Sequence, residues 1–429
     1  MRVAILSAGT RGDVQPYLVL GEELRSRGHE VKMLCSVNLR AMVQRAGFSA
    51  EPIPFDSHAF LLSPEGRKIL GAGSTLRFLR ELRRLDGATS NETNAAVLRA
   101  VTDADVIVSG LILSYRAAFL ARSLGRPLVL AYTFPVEPTA AYPSPFASLP
   151  LPPLQAARRL SHRIFELMAW LAAAPSLRQL GAQLGGQSRA LPGHSRRLRA
   201  TATPTLNLIS PLVIPEPPDW PAHVRNVGSV KPSLQLRARI GEGAIDSELA
   251  AWLAEGEPPL FFGFGSMPVV DPAGTLALIR RAARRLRSRA LIGAGWTHYG
   301  APPGRLSEQL YITGPIDHDL VLRRCSAAIH HGGAGTTHAA IRAGVPALVT
   351  PMFADQLLWA RRVRDLGIGA LIPFRRLSDA RLQAGLEAVL AAPLRRRAAA
   401  IGRAVDAERG ERALADAIEQ ASERSLVAA

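Results

Sequence analysis

The sequence predicts an α/β protein of two Rossmann-like, doubly wound domains facing a central cleft. Three observations carry this expectation. The chain has 429 residues, which fits two domains at the roughly 100–200 residues a domain usually holds. Short apolar runs alternate with amphipathic stretches in the first half, and the same rhythm restarts in the second, as in mostly parallel sheets. Between the halves, residues 210–221 (SPLVIPEPPDWP) carry prolines that can continue neither a helix nor a central strand. The expected division is therefore residues 1–210 as an N-terminal domain, 211–232 as a linker and 233–429 as a C-terminal domain, with the last helix packing back on the first.

In chain order, residues 3–6 (VAIL) form the first strand, bounded by Ser7-Ala8-Gly9-Thr10-Arg11-Gly12. An amphipathic helix with Leu18, Leu20 and Leu24 on one side follows and stops before Gly28, and residues 30–35 return as a strand. Residues 105–109 and 127–131 are further buried strands. In the second half, residues 260–264, 290–292, 327–330 and 345–350 read as strands, and residues 276–287 as a helix. Residues 55–99 and 142–199 mix Pro, Leu and Arg without strands; insertions of this kind shape the ligand cleft of such sheets. Within the second, residues 158–170 are amphipathic and basic. They read as a helix covering the acceptor side of the cleft, with weak contact to a membrane surface as the alternative.

Composition narrows the function classes. Hydrophobic residues make up 48% and charged residues 20%, which excludes long-range disorder. The two cysteines, Cys35 and Cys325, are too few for a disulfide framework or a cysteine zinc site. The opening apolar run is too short for a secretory leader, and no apolar stretch approaches the ~20 residues of a spanning helix, so a cytoplasmic protein is expected. The net charge of +17 comes from arginine, since Lys32, Lys68 and Lys231 are the lysines. Its arginines lie along helical patterns without interleaved aromatics, which argues for a solvated basic surface and against nucleic acid.

The strongest chemical signal is His330-His331-Gly332-Gly333-Ala334-Gly335-Thr336-Thr337, after one strand and opening a helix. Small residues there let the backbone approach a ligand, and the helix start offers unpaired N–H groups and partial positive charge, a geometry that holds a diphosphate. The hydroxyls of Thr336 and Thr337 add donors, and His331 is placed for a charge-assisted hydrogen bond. Asp13 stands just past the first strand, where such sheets bind ligands. It fits a general base for a hydroxyl, and equally a cap for the helix that follows. Asp355 and Gln356 follow a strand and a turn, and Asp355 also suits a helix N-cap. Two Asp-x-Asp triplets, Asp103-Ala104-Asp105 and Asp317-His318-Asp319, raise a metal; the first directly precedes a strand, as loop acids commonly do.

The octapeptide at His330–Thr337, with Gly344-Val345-Pro346, Pro351 and Asp355-Gln356, resembles the donor-site motif of inverting nucleotide-sugar glycosyltransferases of the GT-B fold. It is most similar to the branch of sterol glucosyltransferases and bacterial antibiotic glycosyltransferases. Residues 10–16 (TRGDVQP), residues 263–267 (GFGSM) and the passage from Asp219-Trp220-Pro221 to Gly228 resemble that branch too, in the right order along nearly the whole chain. The resemblance implies an enzyme moving a sugar from a UDP- or TDP-sugar to a hydroxyl, with Asp13 as base and Thr10, Arg11 and Gly12 forming a phosphate-side loop. It implies Ser266, His331, Gly333, Ala334, Gly335 and Thr336 at the diphosphate, and Asp355 and Gln356 at the sugar. Phe134, Tyr142 and Phe146 fall in a stretch resembling its acceptor loop. Their aromatic character implies a hydrophobic aglycone such as a polyketide, macrolide, sterol or terpenoid.

The chain departs from the pattern in three places. Asp317-His318-Asp319 replaces Pro-His-Asp, Ala339 stands where plant relatives carry a ribose-binding Glu, and no His occupies the loop of Asp13. UDP and TDP therefore stay open. No cofactor and no metal is expected, because a helix start and His331 neutralise the leaving group, and a monomer or homodimer is expected. A non-catalytic donor-binding partner and a nucleotide-sugar epimerase are the competing readings.

Overall fold

The computed structural model describes every residue except 148–151, 153, 186–192, 244 and 428–429, and side chains as far as residue 424. The chain forms two compact units. Met1–Ser57, Ser74–Pro232 and Arg409–Ala429 make the first, His58–Gly73 and Ser233–Glu408 the second.

The first unit is built on strands β1 (Arg2–Leu6), β2 (Glu30–Ser36), β3 (Ser49–Ile53), β4 (Val106–Ser109), β5 (Leu128–Tyr132), β6 (Thr205–Asn207) and β7 (Val224–Asn226). They pair in parallel in the order β3-β2-β1-β4-β5-β6-β7. The central strands are apolar at nearly every position because helices cover both faces. Val3, Ile5, Val106 and Val108 are buried, as are Ala4, Leu6 and Ile107 on the opposite face. Val97, Ala100 and Leu120, from the helices Thr75–Val101 and Ser114–Leu124, pack on the face that carries Ala4, Leu6 and Ile107. The helix Gly410–Val427 also belongs here, where Asp416 and Glu419 pair with Arg27 at 2.6 and 2.9 Å.

The second unit carries β8 (Leu260–Gly263), β9 (Ala290–Gly293), β10 (Gly304–Ser307), β11 (Leu310–Thr313), β12 (Ala327–His330), β13 (Ala347–Val349) and β14 (Gly369–Leu371). Their order is β10-β11-β9-β8-β12-β13-β14, parallel except for the β10–β11 hairpin. Phe262, Ile292, Ile329 and Leu348 fill one face, and Phe261, Leu291, Ala328 and Trp252 the other.

Several sequence expectations change here. The stretch read as a linker, residues 211–232, stays with the first unit and contributes β7, which begins at Val224 after the proline-rich run ends at Pro221. Residues 58–73 leave the first unit and pack within the second. The two strand-free stretches contain long helices, Thr75–Val101 and Gln155–Gln183. A part-buried polar seam joins the two: Asp86 takes hydrogen bonds from Arg116 at 2.7 Å and from the Ser176 hydroxyl, and Asn94 reaches the Ser176 carbonyl at 3.0 Å.

Candidate active site

Each sheet reverses its strand order at its central strand, between β1 and β4 in the first unit and between β8 and β12 in the second. In open parallel sheets the loops at the carboxyl ends of these strands diverge and leave a crevice for ligands. The residues singled out from sequence follow the carboxyl ends of β1, β5, β8, β12 and β13.

In the first unit β1 runs into Ser7–Thr10 and then into the helix Arg11–Ser26, with Thr10 at its N-cap. Gly9 has φ of +128°, and Ser36 at the end of β2 pins it twice: its Oγ accepts from Gly9 N–H at 2.9 Å and donates to Gly9 C=O at 3.0 Å. Asp13 is the third helical residue. Its Oδ2 accepts from the Thr10 N–H at 2.8 Å and the Thr10 hydroxyl at 3.0 Å. The expectation that Asp13 caps the helix is therefore met in the reciprocal manner of a capping box, and both bonds fall on one oxygen. A Cβ at position 9 would lie 2.4 Å from Oδ2, so only glycine lets the carboxylate sit there. Burial raises the Asp13 pKa above its ordinary value, and the two Thr10 bonds partly offset the rise. Arg11 is engaged by Gln15 at 2.9 Å, and Gly12 is exposed. Pro16 lies inside the helix.

The residues expected at the acceptor gather around one helix. Phe146 stacks on Phe165 of the helix Gln155–Gln183, with ring centroids 4.1 Å apart and planes 5° apart, and meets Phe134 edge-on at 5.5 Å. Tyr142 tilts over His162 of the same helix at 6.2 Å, and its carbonyl lies 3.1 Å from the His162 Nε2. Burial lowers the His162 pKa, which keeps this ring neutral. Asp219 of the Asp-Trp-Pro passage accepts from the Thr139 hydroxyl at 2.6 Å and from Ala140 N–H at 2.9 Å, fixing the loop that carries Tyr142.

In the second unit the loops after β8 and β12 close on His331. Its ring lies between two glycines: a Cβ at Gly265 would stand 3.2 Å from its Cε1, and one at Gly333 would stand 2.5 Å from its Nε2. Gly333 is the N-cap of the helix Ala334–Arg342 and supplies no side-chain cap, so the first-turn N–H groups keep their capacity to bind an anion. Gly335 is exposed and Thr336 half-buried at this helix start, and Ser266 is half-buried beside Gly265. One expectation is corrected. Thr337 is buried, and its hydroxyl donates to the Gly333 carbonyl at 2.9 Å, so it is spent within the helix. Burial pushes the His331 pKa down to about 4, so its imidazole is neutral, and any charge assistance in a bond to a diphosphate would come from the anion alone. His330 is pushed down to about 3; its Nδ1 accepts from Gly332 N–H at 3.0 Å, which puts its proton on the buried Nε2.

The loop after β13 brings Asp355 and Gln356 to the start of the helix Gln356–Asp365. Asp355 occupies the N-cap position without capping; its Oδ2 accepts from the Trp359 indole at 2.9 Å. Gln356 is buried, and its Oε1 accepts from the N–H groups of Met352 and Phe353 at 2.8 and 3.1 Å. Its amide NH₂ is thereby turned into the remaining donor. Ala354 between them holds φ of +58°, a left-handed conformation costly for alanine. Ala339 is buried in the apolar core, so no carboxylate reaches a ribose from that position.

In each Asp-x-Asp triplet arginine holds at least one of the acids. Asp105 accepts from Arg2 N–H at 2.6 Å and its guanidinium at 3.2 Å. Asp317 and Asp319 are buried with Arg237, Glu242 and Arg342. Arg342 pairs with Asp319 at 2.8 and 3.1 Å, and Arg237 pairs with Asp319, with Asp317 at 3.1 Å and with Glu242 at 3.1 Å. Among the described residues no three or more His, Cys, Asp or Glu side chains cluster as a metal site. His318 meets Phe261 edge-on at 5.7 Å, and Trp296 meets His58 edge-on at 4.8 Å, which are packing contacts.

Sequence reasoning missed Ser36, Phe165 and Trp359. Trp359 was recoverable, since position i+4 from Asp355 faces it on a helix. Ser36 was recoverable from its place at the end of the strand beside β1. Phe165 carried no such signal, because a stacked ring within a long helix reads as ordinary core.

The chain matches two described families: the glycosyltransferase family 28 N-terminal domain over residues 3–142, and the erythromycin biosynthesis protein CIII-like C-terminal domain over residues 306–410. It is 32% identical over 432 residues to O-mycaminosyltylonolide 6-deoxyallosyltransferase of Streptomyces fradiae, covering 96% of this chain and 95% of that one. It is 28% identical over 422 residues to a sterol 3-beta-glucosyltransferase of Arabidopsis thaliana, covering 97% of this chain; the match spans about two thirds of the plant enzyme's length, 67%. Among solved structures, the glycosyltransferase of kitacinnamycin superposes with a TM-score of 0.68 at 19% identity, covering 98% of each chain. Spinosyn rhamnosyltransferase complexed with thymidine diphosphate gives 0.65 at 20% identity, covering 98% of this chain and all of the other (100%). These structures share the GT-B fold with this chain.

Proposed function

From the premise that this chain belongs to the glycosyltransferases and is an enzyme of that class, we propose that it transfers a sugar from a UDP- or TDP-sugar to a hydroxyl of a hydrophobic natural-product or sterol-like acceptor, with inversion at the anomeric carbon. The observation that carries this reading is the pair of glycine turns closing on His331 at the uncapped start of the helix Ala334–Arg342. The diphosphate would take N–H groups of Ala334, Gly335 and Thr336, the hydroxyls of Ser266 and Thr336, and one N–H from neutral His331. Preorganised dipoles of this kind stabilise charge as it develops on the leaving group, without help from a metal ion. The sugar's hydroxyls would pair with the Asp355 carboxylate and the Gln356 NH₂, an acceptor beside a donor. The nucleotide sugar is a co-substrate, and the chemistry needs no further cofactor.

The acceptor would lie against Phe134, Tyr142 and Phe146. Its hydroxyl would give a proton to the Asp13 Oδ1, the oxygen that the Thr10 bonds leave over. Burial makes that carboxylate a better base than an exposed aspartate, because a raised pKa brings it closer to the working pH. The oxygen then displaces the nucleoside diphosphate in one step from the face opposite it, and an α-linked donor gives a β-glycoside. Support comes from the relatives, which include a sterol 3-beta-glucosyltransferase, an O-mycaminosyltylonolide 6-deoxyallosyltransferase and a rhamnosyltransferase complexed with thymidine diphosphate.

The test is to incubate the purified chain with UDP-glucose or TDP-glucose and a panel of macrolide, anthracycline and sterol aglycones. Products are detected by mass spectrometry and the anomeric coupling read by proton NMR. A β-linked product from an α-linked donor is expected. An α-linked product, or interconverted free nucleotide sugar with no glycoside, would overturn the mechanism.

A further inference from the structure

The helix Gln155–Gln183 has one face turned inward, where His162 and Phe165 are buried against Tyr142 and Phe146. Its outward face is also apolar. Leu160, Ile164, Leu167 and Leu171 are 55%, 49%, 50% and 46% exposed. Their spacings of four, three and four residues put them in one row, about 16 Å long at 1.5 Å per residue. Isolated exposed leucines need no explanation, whereas four in a row on one helix do.

Charge identifies what this row fits. Arg163 and Arg159, the latter also paired with Asp219 at 3.1 Å, lie along one edge of the row and are exposed, and Arg178 continues it toward the C-terminal end. The helix has a single acid, Glu166, and its carboxylate lies off the row, accepting from Ser195 N–H at 2.8 Å. Apolar side chains in the middle, guanidinium groups at the edge and no acid between them match a bilayer surface with anionic headgroups. The row is too small for a second copy of the chain. Four half-exposed aliphatic side chains offer on the order of 400 Å², against ~800 Å² per partner in a stable interface. Among the described residues no helix is long and apolar enough to cross a membrane, so the contact is interfacial.

We infer that the outward face of the helix Gln155–Gln183 is a docking surface for an anionic lipid bilayer, with Leu160, Ile164, Leu167 and Leu171 inserted among the acyl chains and Arg159, Arg163 and Arg178 at the headgroups. The inference goes beyond the sugar-transfer reading and does not depend on it. If both hold, the same helix that backs the aromatic acceptor residues meets the phase into which a hydrophobic acceptor partitions.

The full chain is tested by sedimentation with vesicles of phosphatidylcholine alone and of phosphatidylcholine with one third phosphatidylglycerol. The parent chain should partition about tenfold more strongly onto the anionic vesicles, falling with added salt. A double variant, Ile164→Gln with Leu167→Gln, should lose at least about tenfold of that partitioning with an unchanged thermal midpoint. Arg163→Glu should abolish the preference for anionic vesicles and keep the fold. A parent that pellets with neither vesicle, or a double variant that pellets like the parent, overturns the inference. So does a parent that is dimeric by light scattering and becomes monomeric in the double variant, since the row would then be a protein interface.

Discussion

Replacing Asp13 separates the two jobs its carboxylate can do. In Asp13→Asn the amide oxygen can still accept from the Thr10 N–H and hydroxyl, now 2.8 and 3.0 Å from Oδ2, so the helix start is kept while the base is lost. In Asp13→Ala both are lost. General-base catalysis contributes roughly 10²–10⁴-fold, so both variants should fall in kcat by about that factor, with donor affinity within about threefold of the parent. Their stabilities should part. The Asp13 pKa is raised on folding, so the folded chain holds this proton more tightly than the unfolded chain. Its contribution to stability therefore falls as pH rises from the unfolded value of 3.8 through the folded one, above which the ionised group is a net cost. Removing a charge near a helix N-terminus costs about 0.3–1 kcal/mol in the other direction. Because burial is the largest influence on Asp13, Asp13→Asn should melt at or above the parent temperature at pH 7. Asp13→Ala loses the cap, about 1 kcal/mol, and should melt about 2–4 °C lower. The assay is transfer followed by mass spectrometry, beside calorimetric melting across pH 4 to 8. An Asp13→Asn chain that keeps more than about a tenth of parental kcat would refute the catalytic role and leave the carboxylate as a cap.

Three further outcomes are expected. Gly9→Ala puts a Cβ 2.4 Å from the Asp13 Oδ2 at a φ of +128°; steady-state assay should show kcat down about a hundredfold from displacing the carboxylate by roughly 1 Å, with stability lower by about 1–3 kcal/mol. Gly333→Ala forces its Cβ to within 2.5 Å of the His331 Nε2, and calorimetric titration should show nucleoside diphosphate binding about tenfold weaker as that hydrogen bond is lost. Asp319→Asn leaves Arg237 and Arg342 buried with one acceptor charge fewer, so the thermal midpoint should fall on the order of 10 °C, from a loss of about 3–5 kcal/mol. A change smaller than about 2 °C there would mean the arginines find other partners.

What the sequence made legible follows from how local each feature is. Strands β1, β8 and β12 carry continuous apolar runs at residues 3–6, 260–262 and 327–329, and the loops and helix starts after them hold most of the expected site residues. Strands β6, β7 and β14 have three residues each, too few for a period to register, and they exist because a neighbouring strand pairs with them. The prolines of residues 210–221 correctly deny a strand to themselves and say nothing about Val224, three residues later. Asp317-His318-Asp319 was ambiguous for a different reason: its explanation is Arg237, 82 residues from Asp319 in sequence. The Thr337 hydroxyl was predictable in principle, since a helical Thr commonly bonds the carbonyl four residues back. The charge of His331 was not, because burial is a property of the fold.

That burial has opposite effects on the two kinds of group the proposed reaction uses, and both effects help it. A low-dielectric surrounding favours whichever form is uncharged. For Asp13 this raises the pKa, which makes its carboxylate a stronger base than one in water. For His331 it lowers the pKa to about 4, which leaves a neutral ring with one fixed N–H. A protonated His331 would attract the diphosphate more strongly in the ground state, but a buried cation would have to be sustained whenever the ligand is absent, and it would hold the product nucleotide as tightly as the transition state. Neutral donors and backbone N–H groups carry no such burden: they gain most as negative charge gathers on the departing oxygen. The placement of both groups at strand ends supports this reading, because there the sheet supplies burial on one side and the reversal of strand order leaves the other side open to a ligand.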